Sequence, residues 1–427
     1  MTDYPQARVA TPMLARRLGT GDAVVIGLSS MIGAGVFAAF APAARAAGTG
    51  LLIGLAIAGV VAYCNAVASA QLAAQYPTSG GTYVYGRERL GEWWGFLAGW
   101  GFVIGKTASC AAMALTFASY AAAGSLWLDR LVAVAAVIVL TAANYRGISR
   151  TVAVARVLVG ASILALGVVV LAIASSGHVH SGLGSSSFGG AYGVLQSAGL
   201  LFFAFAGYAR IATLGEEVRD PAETIPRAIP IALAITLALY LVVGIAALAG
   251  AGPDALAATT RPLAAAVDAA GAAWALPVVR LGAAVASLGA LLALIAGVGR
   301  TTLAMARHSD LPRWLSSVHP RHLVPDHAEL AIAAAVVILV LTTDLRNAIG
   351  FSSFGVLLYY AIANASAYMQ PPERRRWPRA FNIVGLVGCL VLVATLPWSA
   401  IVAGAAVITA GVAGRAVVRG WSSSPAR

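Results

Sequence analysis

Long apolar stretches follow one another along almost the entire chain, and this constrains the fold more than any single motif. A helix that spans a bilayer needs about 20 consecutive apolar residues, and the sequence contains twelve such stretches. Charged residues are only 10% of the chain, whereas soluble domains contain about 25%. The pattern predicts an all-α integral membrane protein with about twelve transmembrane helices, near residues 22–46, 50–75, 93–121, 127–145, 151–175, 192–216, 229–251, 275–305, 328–343, 347–369, 381–396 and 399–419.

The first predicted span is interrupted by a glycine-rich segment, GLSSMIGAGVF, from Gly27 to Phe37. Glycine costs about 1 kcal/mol relative to alanine inside a helix, and in lipid each backbone group that leaves a helix needs another partner. Two interpretations are open. The small residues allow another helix to pack closely, or the helix is broken and its free N–H groups line an anion-binding cavity.

A second interruption lies in the sixth predicted span, FFAFAGYARIATLGEEVRDP, where Gly207 follows an aromatic run. The first and sixth spans each begin a run of five helices, and an odd number gives the two runs opposite topology. Paired interruptions at corresponding positions of two repeats are typical of a transporter binding site. We therefore predict five-helix repeats at residues 22–175 and 192–369, with two additional helices at 381–419.

The arginines indicate how the chain is oriented. Most of them lie in short loops on one side of the predicted membrane, among them Arg16, Arg87, Arg150 and Arg374. Because basic loops mark the cytoplasmic side, residues 1–21 and 420–427 are predicted to be cytoplasmic tails of a multi-pass protein of the cell (plasma or inner) membrane. The same distribution accounts for the net charge of +12 without a nucleic acid partner.

Four segments together resemble the APC (amino acid–polyamine–organocation) superfamily of amino acid permeases. They are GLSSMIGAGVF, QLAAQYPTSGGTYVYGRERLGEWWGFLAGW, FFAFAGYARIATLGEEVRDPAETIPRAI and GRTTLAMARHSDLPRWLSSVHPRHLVPDHAEL, and the resemblance reaches from about residue 18 to about 370. It implies a leucine-transporter-like fold of inverted five-helix repeats with broken helices 1 and 6. It also implies secondary active transport by alternating access.

The resemblance further implies a substrate site at the two broken helices. Free N–H groups at a helix start favour an anion, so the substrate carboxylate is expected on backbone amides of the first helix. These are the amides of Ile32, Gly33, Ala34 and Gly35. The substrate ammonium is expected on backbone carbonyl groups, at Met31, Phe203, Ala204 and Ala206. Phe205 and Tyr208 are expected to shape or gate the pocket, with ordinary aromatic packing as an equal alternative.

Arg210 follows the second interruption by about one helical turn. Two roles are open for it. It forms an inner-gate ion pair with Glu217, or its long side chain reaches a polar loop at the membrane surface. Glu216 and Glu217 hold the inner end of the sixth helix or take part in the gate.

The positions of the carboxylates predict the substrate class. None of the 16 Asp and Glu residues lies clearly at the middle of a predicted span, and a site for a cationic side chain would need one. We therefore expect a transporter of small, neutral amino acids. The alternative is an exchanger of cationic amino acids or polyamines, because the resembling family includes both.

Lys106 is the only lysine in the chain and lies in the third predicted span. Counting from Glu92 at about 1.5 Å per residue places it ~21 Å into a helix that crosses a ~30 Å core. An ionisable residue at that depth is a functional candidate, and lysine can release a proton when it is buried. Some proton-coupled relatives use a fifth-helix lysine, but Ser162 occupies the corresponding place here. Lys106 is thus predicted to serve coupling, with a purely structural role as the alternative.

Other classes of protein lack their signatures. An intramembrane enzyme would need a histidine or paired carboxylates within the membrane, whereas the six histidines lie in loops. No phosphate-binding GKS or GKT loop is present, and Cys64, Cys110 and Cys389 show no metal-ligand spacing. We expect no catalytic residue, cofactor, metal or ATP. The expected partners are an amino acid, the lipid bilayer and protons. An intramembrane enzyme or a channel is the alternative from a different class.

Overall fold

A computed structural model of the chain describes residues 18–78, 80–122, 124–146, 152–177, 188–215 and 217–422. Within these ranges the chain is helical and forms no β-strand, although Leu18 and Val218 make one isolated bridge. Most of the two predicted tails lies outside the described residues, as do Glu216 and the loop histidines His178 and His180.

The first half of the chain contains eight α-helices. They are α1 (Thr20–Met31), α2 (Ala34–Ala38), α3 (Phe40–Ala47), α4 (Leu51–Gln75), α5 (Thr82–Leu90), α6 (Glu92–Ala121), α7 (Leu126–Tyr145) and α8 (Val152–Ser175). The second half contains α9 (Gly190–Phe205), α10 (Ala209–Ala212), α11 (Pro221–Ala257), α12 (Pro262–Ala269), α13 (Leu276–Arg307), α14 (Asp326–Thr342), α15 (Leu345–Tyr368), α16 (Arg379–Thr395) and α17 (Trp398–Ser422).

Each of the twelve predicted spans falls on one or more of these helices. Ten helical stretches in the described ranges are long and apolar enough to cross a membrane. Helices α14 and α16, with 17 residues each, lie at the predicted ninth and eleventh spans. The predicted all-α membrane fold is confirmed. The sequence did not predict the short helices α5 and α12, whose lengths of 9 and 8 residues are too small to span a bilayer.

Helices at corresponding positions of the two predicted repeats pack together. Among the first and second members, α4 contacts both α9 and α11, and α1 contacts α11. The third and fourth members, α6, α7, α13 and α14, all contact one another. Helix α15 packs against both groups through α4 and α6. This pairing is what two inverted repeats would produce, and the repeat boundaries themselves stay a prediction.

Glycine allows α6 and α15 to approach at backbone distance. A Cβ atom built on Gly355 would lie 2.5 Å from the carbonyl oxygen of Gly101 and 2.9 Å from the Cα atom of Gly105. Small residues at helix contacts are how membrane helices pack tightly without a hydrophobic driving force. This contact fixes α6, which carries Lys106, against α15.

We expect Gly355→Ala to destabilise the protein, because neither of the two backbone atoms that its Cβ would meet can rotate away. Overpacking of this kind typically costs about 1–3 kcal/mol, so the thermal unfolding temperature in detergent should fall. Gly297→Ala in α13 is the matched control, since its Cβ would meet no atom within 4 Å. Equal unfolding temperatures for the two variants would contradict the close contact.

Candidate functional site

The first membrane helix is interrupted at Ile32 and Gly33, which we call the first break. Helix α1 ends at Met31, Ile32 has φ −78° and ψ 66°, Gly33 has φ −117° and ψ −146°, and α2 begins at Ala34. The amide of Ile32 donates to the Leu28 carbonyl at 2.7 Å, and that of Gly33 donates to Met31 at 2.8 Å. The first amides of a helix have no partner inside it, so the predicted carboxylate site is left with Ala34 and Gly35, because the amides of Ile32 and Gly33 already have acceptors.

The sixth membrane helix changes its winding at Ala206–Tyr208, which we call the second break. Helix α9 ends at Phe205, a 3₁₀ turn covers Ala206–Tyr208, and α10 begins at Ala209. A tighter turn of this kind inside a longer helix often marks a hinge. The sequence placed the interruption at Gly207, in the middle of this turn.

The two breaks lie directly against each other. A Cβ atom on Gly207 would lie 2.3 Å from the carbonyl carbon of Ser30, and one on Gly35 would lie 2.6 Å from the Cα atom of Ala204. Gly33 approaches the Ala290 side chain on α13 in the same way, at 2.9 Å. These glycines therefore serve close packing, and they bring the two interrupted backbones together at the same time.

Tyr240 of α11 joins the breaks through its hydroxyl group. The hydroxyl oxygen lies 2.6 Å from the carbonyl oxygen of Met31 and 3.1 Å from that of Ala204, so its one proton is shared between these two acceptors. Both carbonyls had been predicted to face a substrate ammonium. The sequence analysis missed Tyr240, although it is one of few residues with a polar group in the aliphatic run from Ile229 to Gly250.

Lys106 of α6 reaches the second break. Its Nζ atom donates to the carbonyl oxygen of Ala206 at 3.0 Å, and the hydroxyl of Tyr360 on α15 donates to the same oxygen at 3.4 Å. The Lys106 side chain is only 6% exposed. Among the described residues, no carboxylate forms an ion pair with it. The predicted coupling residue thus lies beside a carbonyl predicted for substrate.

The predicted pocket aromatics surround this contact. The Phe205 ring lies 5.1 Å from the Tyr240 ring, and the Tyr208 ring stacks on Tyr360 at 5.0 Å. The Phe203 side chain instead packs in a separate buried cluster with residues of α6 and α15. Phe205 and Tyr208 are therefore adjacent to the breaks, whereas the Phe203 side chain is not.

Arg210 lies in α10, just after the second break, and both of its predicted roles stay predictions. Its Nη1 atom donates to the hydroxyl of Thr213 at 3.3 Å. Within the described ranges it makes no ion pair with Glu217 at 4.0 Å or less. Thr213 directly follows α10, so this contact joins Arg210 to the start of the next loop.

A small cavity borders the first break. It has a volume of about 10 Å³ and is lined by Ser29, Ile32, Ser162, Ala286, Gly289 and Ala290, among others. This volume admits about one water molecule. Ser162 is the residue that replaces the coupling lysine of some relatives, so that position is small and polar here. Arg156, on the same helix, instead pairs with Asp22 at 2.5 Å.

Comparison with known proteins decides the family. The amino acid permease family matches residues 18–415, which extends beyond the resemblance seen in the sequence and reaches α17. The chain belongs to this family. It is a multi-pass membrane transporter of amino acids and not an enzyme, in agreement with the names of its relatives.

Three relatives illustrate the range of the family. An uncharacterized transporter of Mycobacterium tuberculosis is 60% identical over 409 residues, covering 95% of this chain and 92% of that protein. The branched-chain amino acid permease BcaP of Bacillus subtilis is 28% identical and covers 91% and 90%. The chloroplastic cationic amino acid transporter 7 of Arabidopsis thaliana is 27% identical and covers 91% and 72%.

We expect Tyr240→Phe to destabilise the protein and to weaken substrate binding, because it removes the hydroxyl that joins the Met31 and Ala204 carbonyls. Loss of a partner for buried polar groups costs about 1–3 kcal/mol. The measurement is thermal unfolding with and without amino acid. Thr236→Val is the control, since this buried hydroxyl one turn away bonds only to Ala232 in its own helix. An effect no larger than that of Thr236→Val would contradict the bridging role.

Proposed function

We propose that the protein transports small neutral amino acids by alternating access, together with a proton carried on Lys106. The contact between Lys106 Nζ and the Ala206 carbonyl, at 3.0 Å, is the observation that carries this proposal. It places the chain's only lysine on a backbone oxygen of the second break. The protonation of Lys106 can therefore respond to whether a substrate occupies the proposed site.

The substrate carboxylate would bind the first amides of α2, at Ala34 and Gly35. Gly35 packs on Ala204, two residues before the carbonyl that Lys106 contacts. The substrate ammonium would bind the carbonyls of Met31 and Ala204. Each carbonyl oxygen has two lone pairs, so an oxygen that accepts from Tyr240 can accept a second bond from the substrate.

Charge favours a neutral side chain on the substrate. The buried carboxylates in the described ranges are Asp310, Asp326 and Glu329, which lie after the end of α13 or in the first turn of α14. The buried charge at the breaks is instead the ammonium of Lys106. A cationic substrate would place like charges close together in a medium of low dielectric constant.

The names of the relatives support both substrate classes. The branched-chain permease and the cationic amino acid transporter are 28% and 27% identical to this chain, so identity does not separate them. The local charge at Lys106 is what favours the neutral class.

The proton would accompany the substrate for an electrostatic reason. A buried ammonium without a counterion is unfavourable, and nearby negative charge stabilises its protonated form. The substrate carboxylate supplies that charge when it binds beside the second break. A proton on Lys106 and a substrate in the site would then stabilise each other, which is the requirement for symport.

We expect Lys106→Arg and Lys106→Met to abolish accumulation driven by a pH gradient in proteoliposomes. Arginine keeps the charge but does not release a proton, and methionine keeps most of the volume without the charge. Saturable exchange at equal pH on both sides is the control for a folded carrier, and it also separates a carrier from a channel. Normal pH-dependent accumulation by Lys106→Arg would overturn the assignment.

Competition tests the substrate class separately. Alanine and leucine should inhibit uptake more strongly than arginine, lysine or putrescine, because the fixed charge at the breaks is positive. Putrescine is the sharpest probe, since it has two ammonium groups and no carboxylate for the amides of α2. Strong inhibition by putrescine would favour the alternative, an exchanger of cationic amino acids or polyamines.

A further inference from the structure

Buried polar side chains concentrate along the contact between α4 and α15. The residues are Asn65, Ser69 and Gln71 of α4, Tyr360 and Asn364 of α15, and Gln370 just after α15, and we call them the polar seam. The relative exposure of each is 2% or less. So many polar groups in the interior of a membrane protein are unfavourable unless they have partners.

One end of the polar seam meets Lys106. The Tyr360 hydroxyl and Lys106 Nζ donate to the same Ala206 carbonyl oxygen. One turn along α15, the side-chain amide of Asn364 donates to the Tyr360 carbonyl at 2.9 Å and to the side-chain oxygen of Asn65 at 2.6 Å. The seam therefore begins at the carbonyl that holds the coupling residue.

The other end of the polar seam reaches the loop between α15 and α16. Gln370 donates to the side-chain oxygen of Gln75 at 2.7 Å, and the side-chain oxygen of Gln71 accepts from the Arg376 amide at 3.3 Å. Arg376 is partly exposed and pairs with Glu223 at 3.4 Å. The arginines of this loop predict that this end is cytoplasmic. Ten residues from Tyr360 to Gln370 correspond to ~15 Å along a helix.

The polar seam also contains buried polar atoms that lack a hydrogen-bond partner among the described residues. Within the described part of the chain, five buried side-chain atoms of the polar seam have no hydrogen-bond partner: Asn65 Nδ2, Ser69 Oγ, Gln71 Nε2, Asn364 Oδ1 and Gln370 Oε1. Buried polar atoms nearly always have partners, and internal waters typically supply about three bonds to groups that lack them. Unpaired atoms of both donor and acceptor type are the partners that internal waters would need.

We propose that the polar seam holds a chain of waters through which the Lys106 proton passes to the cytoplasm. Lys106 gives a proton to the first water and becomes a neutral amine, and one proton leaves the last water at the loop that carries Arg376. The amide side chains orient the waters and carry no proton themselves. This inference rests on the proposed proton coupling and names the route of release.

The titratable groups around Lys106 do not oppose the release of its proton to the waters of the polar seam. The titratable groups near it are the Cys110 thiol, one turn along α6, and the Tyr360 hydroxyl on α15, which shares its carbonyl. None of the carboxylates within the described ranges pairs with Lys106, so none competes with the waters for its proton. At the far end of the seam, the carboxylate of Glu223 is paired with Arg376.

The test replaces the central amide pair with apolar residues of similar shape, in the double variant Asn65→Leu/Asn364→Leu. Removing both partners together avoids leaving one amide of the pair without the other. Uptake of alanine driven by a pH gradient should fall by about tenfold or more, in the range by which positioned proton-transfer groups act. Exchange of alanine at equal pH, which needs no net proton movement, should stay near the wild-type rate.

A smaller change keeps the test informative if the double variant does not fold. Ser69→Ala should lower pH-driven uptake severalfold more than Ser287→Ala. Ser287 on α13 is the matched control, since its buried hydroxyl also lacks a partner among the described residues but lies outside the seam.

The outcomes separate this inference from the function on which it rests. Wild-type uptake that ignores the pH gradient would overturn proton coupling and the route together. A coupled wild type whose seam variants keep normal pH-driven uptake would overturn the route alone. Equal losses of uptake and exchange would also overturn it, because they would show a structural role for the seam.

Discussion

The structure depends on how the broken helices satisfy their backbone carbonyl groups inside the membrane. In lipid a carbonyl that leaves a helix has no water to bind, so the protein must supply a donor. Here the donors are side chains from three helices that are not interrupted at these positions: Lys106 of α6, Tyr240 of α11 and Tyr360 of α15. The two breaks can persist because these three groups hold them.

The same hydrogen bonds explain how the two breaks can be stabilised and still change conformation. Each donor reaches the breaks through one side-chain group, which contacts one backbone oxygen for Lys106 and Tyr360 and two for Tyr240. Glycine contacts at Gly35 and Gly207 let the two breaks lie against each other without interlocking side chains. In the proposed mechanism, a substrate ammonium adds a bond to carbonyls that Tyr240 already holds, which changes the balance of contacts between the breaks and the helices around them. Such a difference between the substrate-free and substrate-bound states is the basis of alternating access.

Much of this could be predicted from the sequence, because its strongest signals are local. Apolar length located the ten helical stretches of the described residues that are long enough to cross a membrane, together with the shorter α14 and α16. Glycine within apolar runs located both breaks. Lys106 was recognised from its depth alone. Tyr240 was not, because nothing local shows that a tyrosine on the seventh span faces Met31, 209 residues earlier. The polar seam was missed for the same reason, since Asn65 and Asn364 become a pair only when α4 and α15 pack. Arg210 bonds to the nearby hydroxyl of Thr213, and its two predicted roles stay predictions.

The most direct test of the central claim is to ask whether substrate movement carries protons. Proteoliposomes with a pH-sensitive dye inside would receive an inward alanine gradient with no initial pH gradient. Internal acidification that accompanies alanine entry in the wild type, and disappears in Lys106→Met while alanine exchange continues, is the predicted result. Alanine entry without acidification in the wild type, or equal acidification in the Lys106→Met variant, would contradict the role of Lys106.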